Sequence, residues 1–447
     1  MQDSIFSRLP PQLLALVLAR LQPEERLGSM ARVCSAWRAA AVMATNSISA
    51  TGRTSVGLGR DSLNALFGWL QAYAAAAGLD SLRVKSRYRN RDPLTLPIQQ
   101  LASLRSLDLE NLTVTVQGQA DTQAAATHLP PELSAVTHLR LWGCGNNLST
   151  LPAFTNLQHL VLGISSSSSS SPEVANLMQL TLLHLNGACA QDAVLAPVGG
   201  MTRLQELQVV GTSYTAASFT ALPVSLTKLC IRLEPSRPAP IMVLAPETTP
   251  AFAALTALRW LQVEGVTGFS AVLLRDMSSL QHLAVLGTPL LAAAAAAAPA
   301  GGGEQEEPRG VGLAVLSRMT QLQHLELPQT PAQLAGALTA DEVAALTASS
   351  HLTSLIISQG LVQQWQYHRM FCTERRLASG RSKTLYLPHL KELRAAMGLL
   401  SSPEVASALV RRCPNLEQLN LETGEHDWFV QIVPRNTLVW LRLLHSV

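Results

Sequence analysis

The sequence predicts an α/β fold in which a short helical segment precedes a long solenoid with a parallel sheet. Three observations predict it. One leucine-spaced phrase returns along most of the chain, its copies keep a nearly constant spacing, and each copy ends in a short stretch that alternates apolar and polar residues. A chain of 447 residues, 47% of them hydrophobic, can bury the large core that such an array needs.

The repeated phrase places apolar residues three, three and two positions apart, which is the core pattern of a leucine-rich repeat. LASLRSLDLENL and FTNLQHLVLGIS are typical copies. We take the leucine before the final two-residue step as a marker. Successive markers lie 21, 23, 24 and 22 residues apart, at Leu139, Leu160, Leu183, Leu207 and Leu229. These periods, over 14 copies in all, predict a leucine-rich repeat array.

Each copy ends in an alternating stretch such as HLRLW, which predicts a short strand. The leucines would point into the core, and the residues between them would lie on the concave face of a horseshoe whose strands pair in parallel. Three residues after the last strand leucine, this fold usually carries Asn or Cys. The polar residues found there are Cys144, Ser165, Thr212, Thr288 and Thr330. All can bond a neighbouring turn, and the substitutions leave the subclass of repeat open.

Two wider gaps between copies and one serine-rich turn predict insertions. They cover residues 163–173, 289–311 and 360–385, and the first two are rich in serine or in alanine and glycine. Such compositions are typical of flexible surface excursions. The chain is therefore expected to divide into a helical segment at residues 1–45 and a repeat domain at residues 46–447.

The helical segment reads LPPQLLALVLARLQPEERLGSMARVCSAWRAAA from Leu9. Prolines open its first helix, and a Pro-Glu-Glu triplet opens the second. Its apolar surface exceeds what so few residues bury among themselves. The segment resembles an F-box, with Gln12 in place of the usual acidic residue. The matching positions are Leu9-Pro10, Leu13-Leu14, Val17-Leu18, Leu21, Leu27, Val33-Cys34 and Trp37.

This resemblance implies the substrate-recognition subunit of an SCF-type ubiquitin ligase, which does no chemistry itself. A Skp-type adaptor would cover the surplus apolar face and connect the chain to a cullin and a RING protein. The substrate would be a protein marked for proteasomal degradation, and its identity is unknown. The residues expected to face the adaptor are Leu9, Pro10, Leu13, Leu14, Val17 and Leu18.

An alternative interpretation treats the helical segment as a cap that closes the repeat core, since solenoids need polar ends. The chain would then be a structural scaffold without ligase activity, for example in the cytoskeleton or the ciliary axoneme. At the other end, the copy near Leu441 reaches Val447 without a polar capping stretch, so we expect an open apolar edge there.

The expected concave face carries exposed tryptophans among arginines, a composition typical of binding hot spots. The residues predicted to anchor the substrate are Trp142, Trp260 and Trp440, with Arg140 and Arg442. The alternative is that these rings pack only against their neighbours.

Two basic clusters, one from Arg83 to Arg91 and one within residues 360–385, suit an acidic or phosphorylated ligand. A ligand-sensing receptor acting through the same ligase is a third hypothesis, and solvated loops are the simpler explanation for both clusters. The sequence shows no phosphate-binding loop or nucleophile elbow, so we expect no enzyme activity and no cofactor.

Histidines at equivalent points of adjacent copies, His138 with His159 and His282 with His324, lack a carboxylate or thiol that would complete a metal site, so none is predicted. A formal net charge of +3 gives no reason to expect nucleic-acid or membrane binding. The six cysteines show no paired spacing, and the first residues lack the layout of a signal peptide. A cytoplasmic or nuclear protein with reduced thiols is expected.

Overall fold

A computed structural model gives the fold of the chain. The residues that it describes are 15, 42, 45–50, 60–86, 94–96, 101–112, 114–116, 133–144, 151–164, 174–212, 214–233, 242–243, 248–267, 269, 271–286, 313–327, 345–357, 371, 375–376, 382–383, 387–396, 403–422 and 427–431. The chain divides into two compact units, unit 1 from Met1 to Leu204 and unit 2 from Gln205 to Val447.

Unit 1 contains a parallel ladder whose order is β1-β2-β4-β6-β7-β8, and β3 pairs with β5 beside it. The strands are β1 (Ser47–Ala50), β2 (Ser81–Lys85), β3 (Leu94–Leu96), β4 (Ser106–Glu110), β5 (Val114–Val116), β6 (His138–Trp142), β7 (His159–Ile164) and β8 (Leu182–Gly187). The register aligns the markers directly, so that Leu107 faces Leu139 and Leu139 faces Leu160. The predicted parallel stacking is confirmed here.

Unit 2 contains a ladder in the order β9-β10-β12-β14-β15-β16-β19-β20-β21. The strands of this unit are β9 (Glu206–Gly211), β10 (Lys228–Leu233), β11 (Met242–Val243), β12 (Trp260–Glu264), β13 (Val266–Thr267), β14 (His282–Leu286), β15 (His324–Leu327), β16 (Ser354–Ile357), β17 (Arg375–Arg376), β18 (Ser382–Lys383), β19 (Glu392–Ala396), β20 (Gln418–Glu422) and β21 (Asp427–Gln431). Pairing is parallel as far as β20, and β21 runs antiparallel to β20. Marker leucines again align, even across the gap of 42 residues between Leu283 and Leu325.

Short helical segments connect the strands. The α-helices are α1 (Arg60–Ala77), α2 (Asp192–Leu195), α3 (Thr249–Ala253) and α4 (Pro403–Arg412), and the 3-10 helices are Leu151–Ala153, Ala196–Gly200, Ala216–Phe219, Ala271–Leu274 and Leu313–Arg318. In the described part of the chain, no helix is long and apolar enough to cross a membrane.

The repeated spacing explains the core. In the copy that starts at Leu101, the leucines at 101 and 104 belong to the turn and those at 107 and 109 belong to β4, and all four are buried. From β2 to β19, each strand of the two ladders therefore contributes two buried apolar side chains to the core of its own unit. Phenylalanines such as Phe252 and Phe269 fill the wider spaces behind the sheet of unit 2, where their rings meet edge to face at 6.3 Å.

The turn after β6 confirms one predicted substitute for Asn. Cys144 is buried, and its Sγ donates to the carbonyl of Leu109 at 3.3 Å in the neighbouring repeat. Burial raises the pKa of this thiol to about 11, so the thiol keeps the proton that it donates. Gly143 adopts a φ of 66°, and an added Cβ there would lie 2.4 Å from Asn111 Oδ1, so the turn requires glycine.

Three features differ from the sequence prediction. The strand β1 was not predicted, because Ile48 takes the place of a marker leucine and pairs with Leu82. The first insertion starts later than predicted, since residues 163 and 164 belong to β7. The predicted parallel copy at Leu441 lies outside the described residues, and the antiparallel β21 occupies the edge of β20 where that copy was expected to pair.

Candidate binding surfaces

Alternation along the strands places polar side chains on one face of each sheet. In β6, Leu139 and Leu141 are buried, whereas Arg140 and Trp142 are half-buried and His138 is exposed. The same pattern in neighbouring strands arranges these side chains in columns, because residues that face each other in the register occupy equivalent positions. Such columns form the two surfaces described below, one in each unit.

In unit 1, five charged residues form a network that we call the ionic cluster: Arg83, Lys85, Asp108, Glu110 and Arg140. Asp108 Oδ2 lies 3.0 Å from Arg83 Nε, and both Asp108 oxygens lie 3.2 Å from Arg140 Nη1. Glu110 Oε1 lies 2.8 Å from Lys85 Nζ. Three cations against two carboxylates leave the cluster with a net positive charge.

Trp142 extends this surface. The Cζ of Arg140 lies 5.6 Å from the centre of the Trp142 ring, which is a cation–π distance. The ring lies on Gly163 of the next strand, where an added Cβ would come within 2.5 Å of the indole carbon Cε3. Glycine at 163 therefore lets the indole lie flat against β7 while one part of the side chain stays exposed.

In unit 2, three rings form a continuous stack, which we call the ring stack: Trp260, His282 and His324. They occupy equivalent positions of β12, β14 and β15. The ring centres of Trp260 and His282 are 3.4 Å apart with planes 7° from parallel, and those of His282 and His324 are 4.1 Å apart at 4°. Lys228 Nζ lies 5.5 Å from the centre of the Trp260 ring and 2.8 Å from Glu206 Oε1.

The middle ring of the stack is neutral at neutral pH. Burial, with smaller contributions from the neighbouring His324 and Lys228, lowers the pKa of His282 from its ordinary value of 6.5 to about 3. A neutral imidazole avoids both the cost of burying a charge and repulsion from the Lys228 ammonium. The ring stack therefore offers a flat strip whose middle ring is uncharged, with a charged pair at the Lys228 end.

This pKa predicts how stability depends on pH. Below about pH 6.5 the unfolded chain protonates His282 while the folded chain does not, so falling pH favours unfolding. The substitution His282→Phe keeps a flat ring but removes the titrating group. We expect the free energy of unfolding, measured by urea denaturation from about pH 7 to about pH 4, to fall more steeply in the wild type than in the variant. Parallel pH curves for the two proteins would contradict the lowered pKa.

The predicted binding residues are distributed over both units and the part of the chain outside the described residues. Arg140 and Trp142 are in contact in unit 1, whereas Trp260 belongs to unit 2. Trp440 and Arg442 lie outside the described residues. So do the predicted adaptor-binding residues, which are Leu9, Pro10, Leu13, Leu14, Val17 and Leu18.

Arg140 is among the substrate-binding residues predicted from the sequence, whereas the carboxylates that hold it are not. Asp108 and Glu110 lie in the preceding copy, at the positions that face Arg140 and Trp142. An alignment of the two copies would therefore have predicted that these carboxylates lie beside Arg140. The paired histidines lie as the copies predicted, with the ring centres of His138 and His159 4.1 Å apart. Among the described residues, no group of three His, Cys, Asp or Glu side chains is arranged to hold a metal ion.

The chain is similar to known proteins both in its N-terminal segment and over most of its length. Residues 6–44 match the family model of the F-box domain. No curated protein matches the chain. Similar solved structures include an internalin from Listeria monocytogenes, at 16% identity over 80% of this chain and 93% of that one, with a TM-score of 0.42. A leucine-rich repeat protein of Leptospira interrogans has 16% identity over 80% of this chain and 81% of its own, with a TM-score of 0.44.

Proposed function

We propose that this chain, which joins an F-box domain to leucine-rich repeats, is the substrate-recognition subunit of an SCF-type ubiquitin ligase. The observation that carries the proposal is the F-box match at residues 6–44, directly before the first described strand at Ser47. An F-box indicates binding to a Skp-type adaptor, which joins it to a cullin and a RING protein. A ligase of this kind works in the cytoplasm or nucleus, where we place the protein.

The role that we propose for the chain is to bring two reactants together. The repeats would bind a protein substrate while the RING protein holds a conjugating enzyme charged with ubiquitin. The substrate lysine then reacts in an effectively intramolecular step, because both partners belong to one assembly. The chain contributes binding energy and orientation, and the conjugating enzyme carries the reactive thioester.

The two surfaces on the sheets are the best candidates for substrate contact. Trp142 beside the ionic cluster and Trp260 at the end of the ring stack combine a large ring with a neighbouring cation, a combination enriched at the centre of interfaces. Trp260 is more than a third exposed, so a partner can reach it without rearranging the sheet. We retain Trp440 and Arg442 in the predicted contact set.

Adaptor binding tests the proposal. The triple variant Leu13→Asp, Leu14→Asp and Val17→Asp would place charges on the predicted docking face, and buried charges without partners are costly. We expect the wild type to co-purify with a co-expressed Skp-type adaptor as a stoichiometric complex on size exclusion, and the triple variant to elute alone. Circular dichroism should show the same folded repeats in both proteins.

The control is Val224→Asp, which places the same charge on an apolar residue that is 65% exposed in a turn of unit 2. This variant should bind the adaptor as the wild type does. A folded wild-type chain that forms no complex would overturn the proposal and favour the scaffold alternative, in which the helices only cap the repeats.

A further inference from the structure

Lysine is nearly absent from this chain. Only four of the 33 Lys and Arg residues are lysines: Lys85, Lys228, Lys383 and Lys391. Lysine is ordinarily among the commonest residues of soluble proteins. Arginine supplies most of the positive charge instead, including that of Arg83, Arg140 and Arg232 in the ion pairs of the sheets.

Two of the lysines are held on the sheets. Lys85 Nζ lies 2.8 Å from Glu110 Oε1 within the ionic cluster, and 26% of its side chain is exposed. Lys228 Nζ lies 2.8 Å from Glu206 Oε1 and over the Trp260 ring, with 38% of its side chain exposed. Both side chains are therefore mostly covered, and each ammonium group must leave its carboxylate and move away from the sheet before the amine can reach a thioester.

The other two lysines lie late in the chain, away from both candidate surfaces in the sequence. Lys391 immediately precedes β19, with 60% of its side chain exposed and its Nζ 3.3 Å from Glu417 Oε1. Lys383 ends the short strand β18, which pairs only with β17 in the described part of the chain. Lys391 is thus the most exposed of the three lysines whose side chains the structure describes.

We propose that the chain is a poor acceptor of ubiquitin within its own ligase, and that self-modification is confined to Lys391 and Lys383. This inference rests on the proposed function. In the reaction, the amine of lysine attacks the thioester carbonyl that joins ubiquitin to the cysteine of the conjugating enzyme. An isopeptide C–N bond forms, the C–S bond breaks, the cysteine leaves as a thiol, and the ammonium releases one proton to water.

Arginine cannot replace lysine in this reaction. Its guanidinium stays protonated at any physiological pH and offers no nucleophilic lone pair. Exchange of lysine for arginine therefore preserves the ion pairs that hold neighbouring strands together while it removes acceptors. A receptor bound to the ligase in every cycle, and so always near the charged conjugating enzyme, gains most from such an exchange.

The test uses the full chain assembled with the adaptor, cullin and RING protein, supplied with ubiquitin, its activating and conjugating enzymes and ATP, but no substrate. Mass spectrometry of the ubiquitin remnants maps and quantifies each modified lysine. We expect remnants only on Lys391 and Lys383, and a loss of self-modification to background in the double variant Lys383→Arg, Lys391→Arg. Co-purification of the same sample with the adaptor reports separately on the proposed function.

Added acceptors provide the matched control. Arg105 is 75% exposed at its side chain, and Arg411 is exposed on α4, so Arg105→Lys with Arg411→Lys keeps the charge and adds two open amines. The variant then has four accessible lysines in place of two. Total self-modification should roughly double if the charged conjugating enzyme is at the same effective concentration around each of them. Modification of Lys85 or Lys228 as fast as Lys391, or no gain from the added lysines, would overturn the inference while leaving the ligase assignment in place. A chain that does not enter the complex would overturn both.

Discussion

Replacement of Phe252 by alanine is expected to destabilise unit 2 by about 3–5 kcal/mol. Phe252 lies in α3 with no exposed surface, and its ring meets the equally buried ring of Phe269 edge to face. Truncation removes the transfer free energy of the ring and leaves a cavity that a close-packed interior closes only in part. Urea denaturation followed by circular dichroism measures the loss.

The loss should also change the shape of the unfolding curve. Each repeat contacts only its neighbours, so a weak point lowers the coupling between the repeats on either side of it. We expect the transition of Phe252→Ala to broaden or to separate into two steps. Val224→Ala, at a residue that is 65% exposed, should shift the free energy of unfolding by less than about 0.5 kcal/mol. Equal shifts for the two variants would show that the space behind the sheet is not packed as described.

The second large effect is expected at Asp108, the centre of the ionic cluster. Asp108→Ala removes the carboxylate that accepts from both Arg83 and Arg140 and leaves these cations beside Lys85. Only 19% of the Asp108 side chain is exposed, so water compensates poorly. We expect a loss of about 1–3 kcal/mol in the free energy of unfolding, which is typical when a partly buried charged group loses its hydrogen-bond partner.

The comparison variant is Asp80→Ala. Asp80 Oδ1 lies 3.8 Å from Arg105 Nε, and the two side chains are 54% and 75% exposed. Such a pair contributes about 0.2–1 kcal/mol and is screened by salt. The loss in Asp108→Ala should therefore exceed that in Asp80→Ala and persist in high salt. Equal losses that both vanish in salt would mean that the cluster is no stronger than an ordinary surface pair.

The repeated spacing made most of the fold predictable. A three, three, two pattern of leucines specifies two turn residues and two strand residues per copy, and the register follows once the markers align. The marker leucines Leu283 and Leu325 align in the register despite the long gap between them, because the strands on either side keep the pattern. Cys144 was predictable for the same reason, since its position in the template requires a side chain that can bond the neighbouring turn.

The ends of the ladder were not predictable from the template. In β1, isoleucine replaces the marker, and the 18-residue helix α1 separates this strand from the next one. The strand β21 reads DWFVQ and belongs to no copy, and its direction depends on the chain reversing after β20. Both strands form because an existing edge offers hydrogen bonds, which is a tertiary cause that a local pattern does not contain.

The candidate surfaces were predictable in composition but not in geometry. The sequence placed His282 and His324 in one column, yet it gave no reason to expect parallel rings or a neutral imidazole between them. Those properties depend on side-chain torsions and on burial by neighbouring strands. Likewise, the flat placement of Trp142 depends on Gly163 in the next copy, which is informative only once the two strands are known to pair.

The reversed strand β21 also bears on how this protein can change in size during evolution. Tandem arrays commonly lengthen when a gene segment is duplicated and the new unit extends the parallel hydrogen bonding of its neighbour. At β20 that hydrogen bonding is already taken by a strand of opposite direction. A parallel unit therefore cannot pair directly with β20 on that side, whereas a duplicated unit can be accommodated between the parallel strands upstream of Gln418.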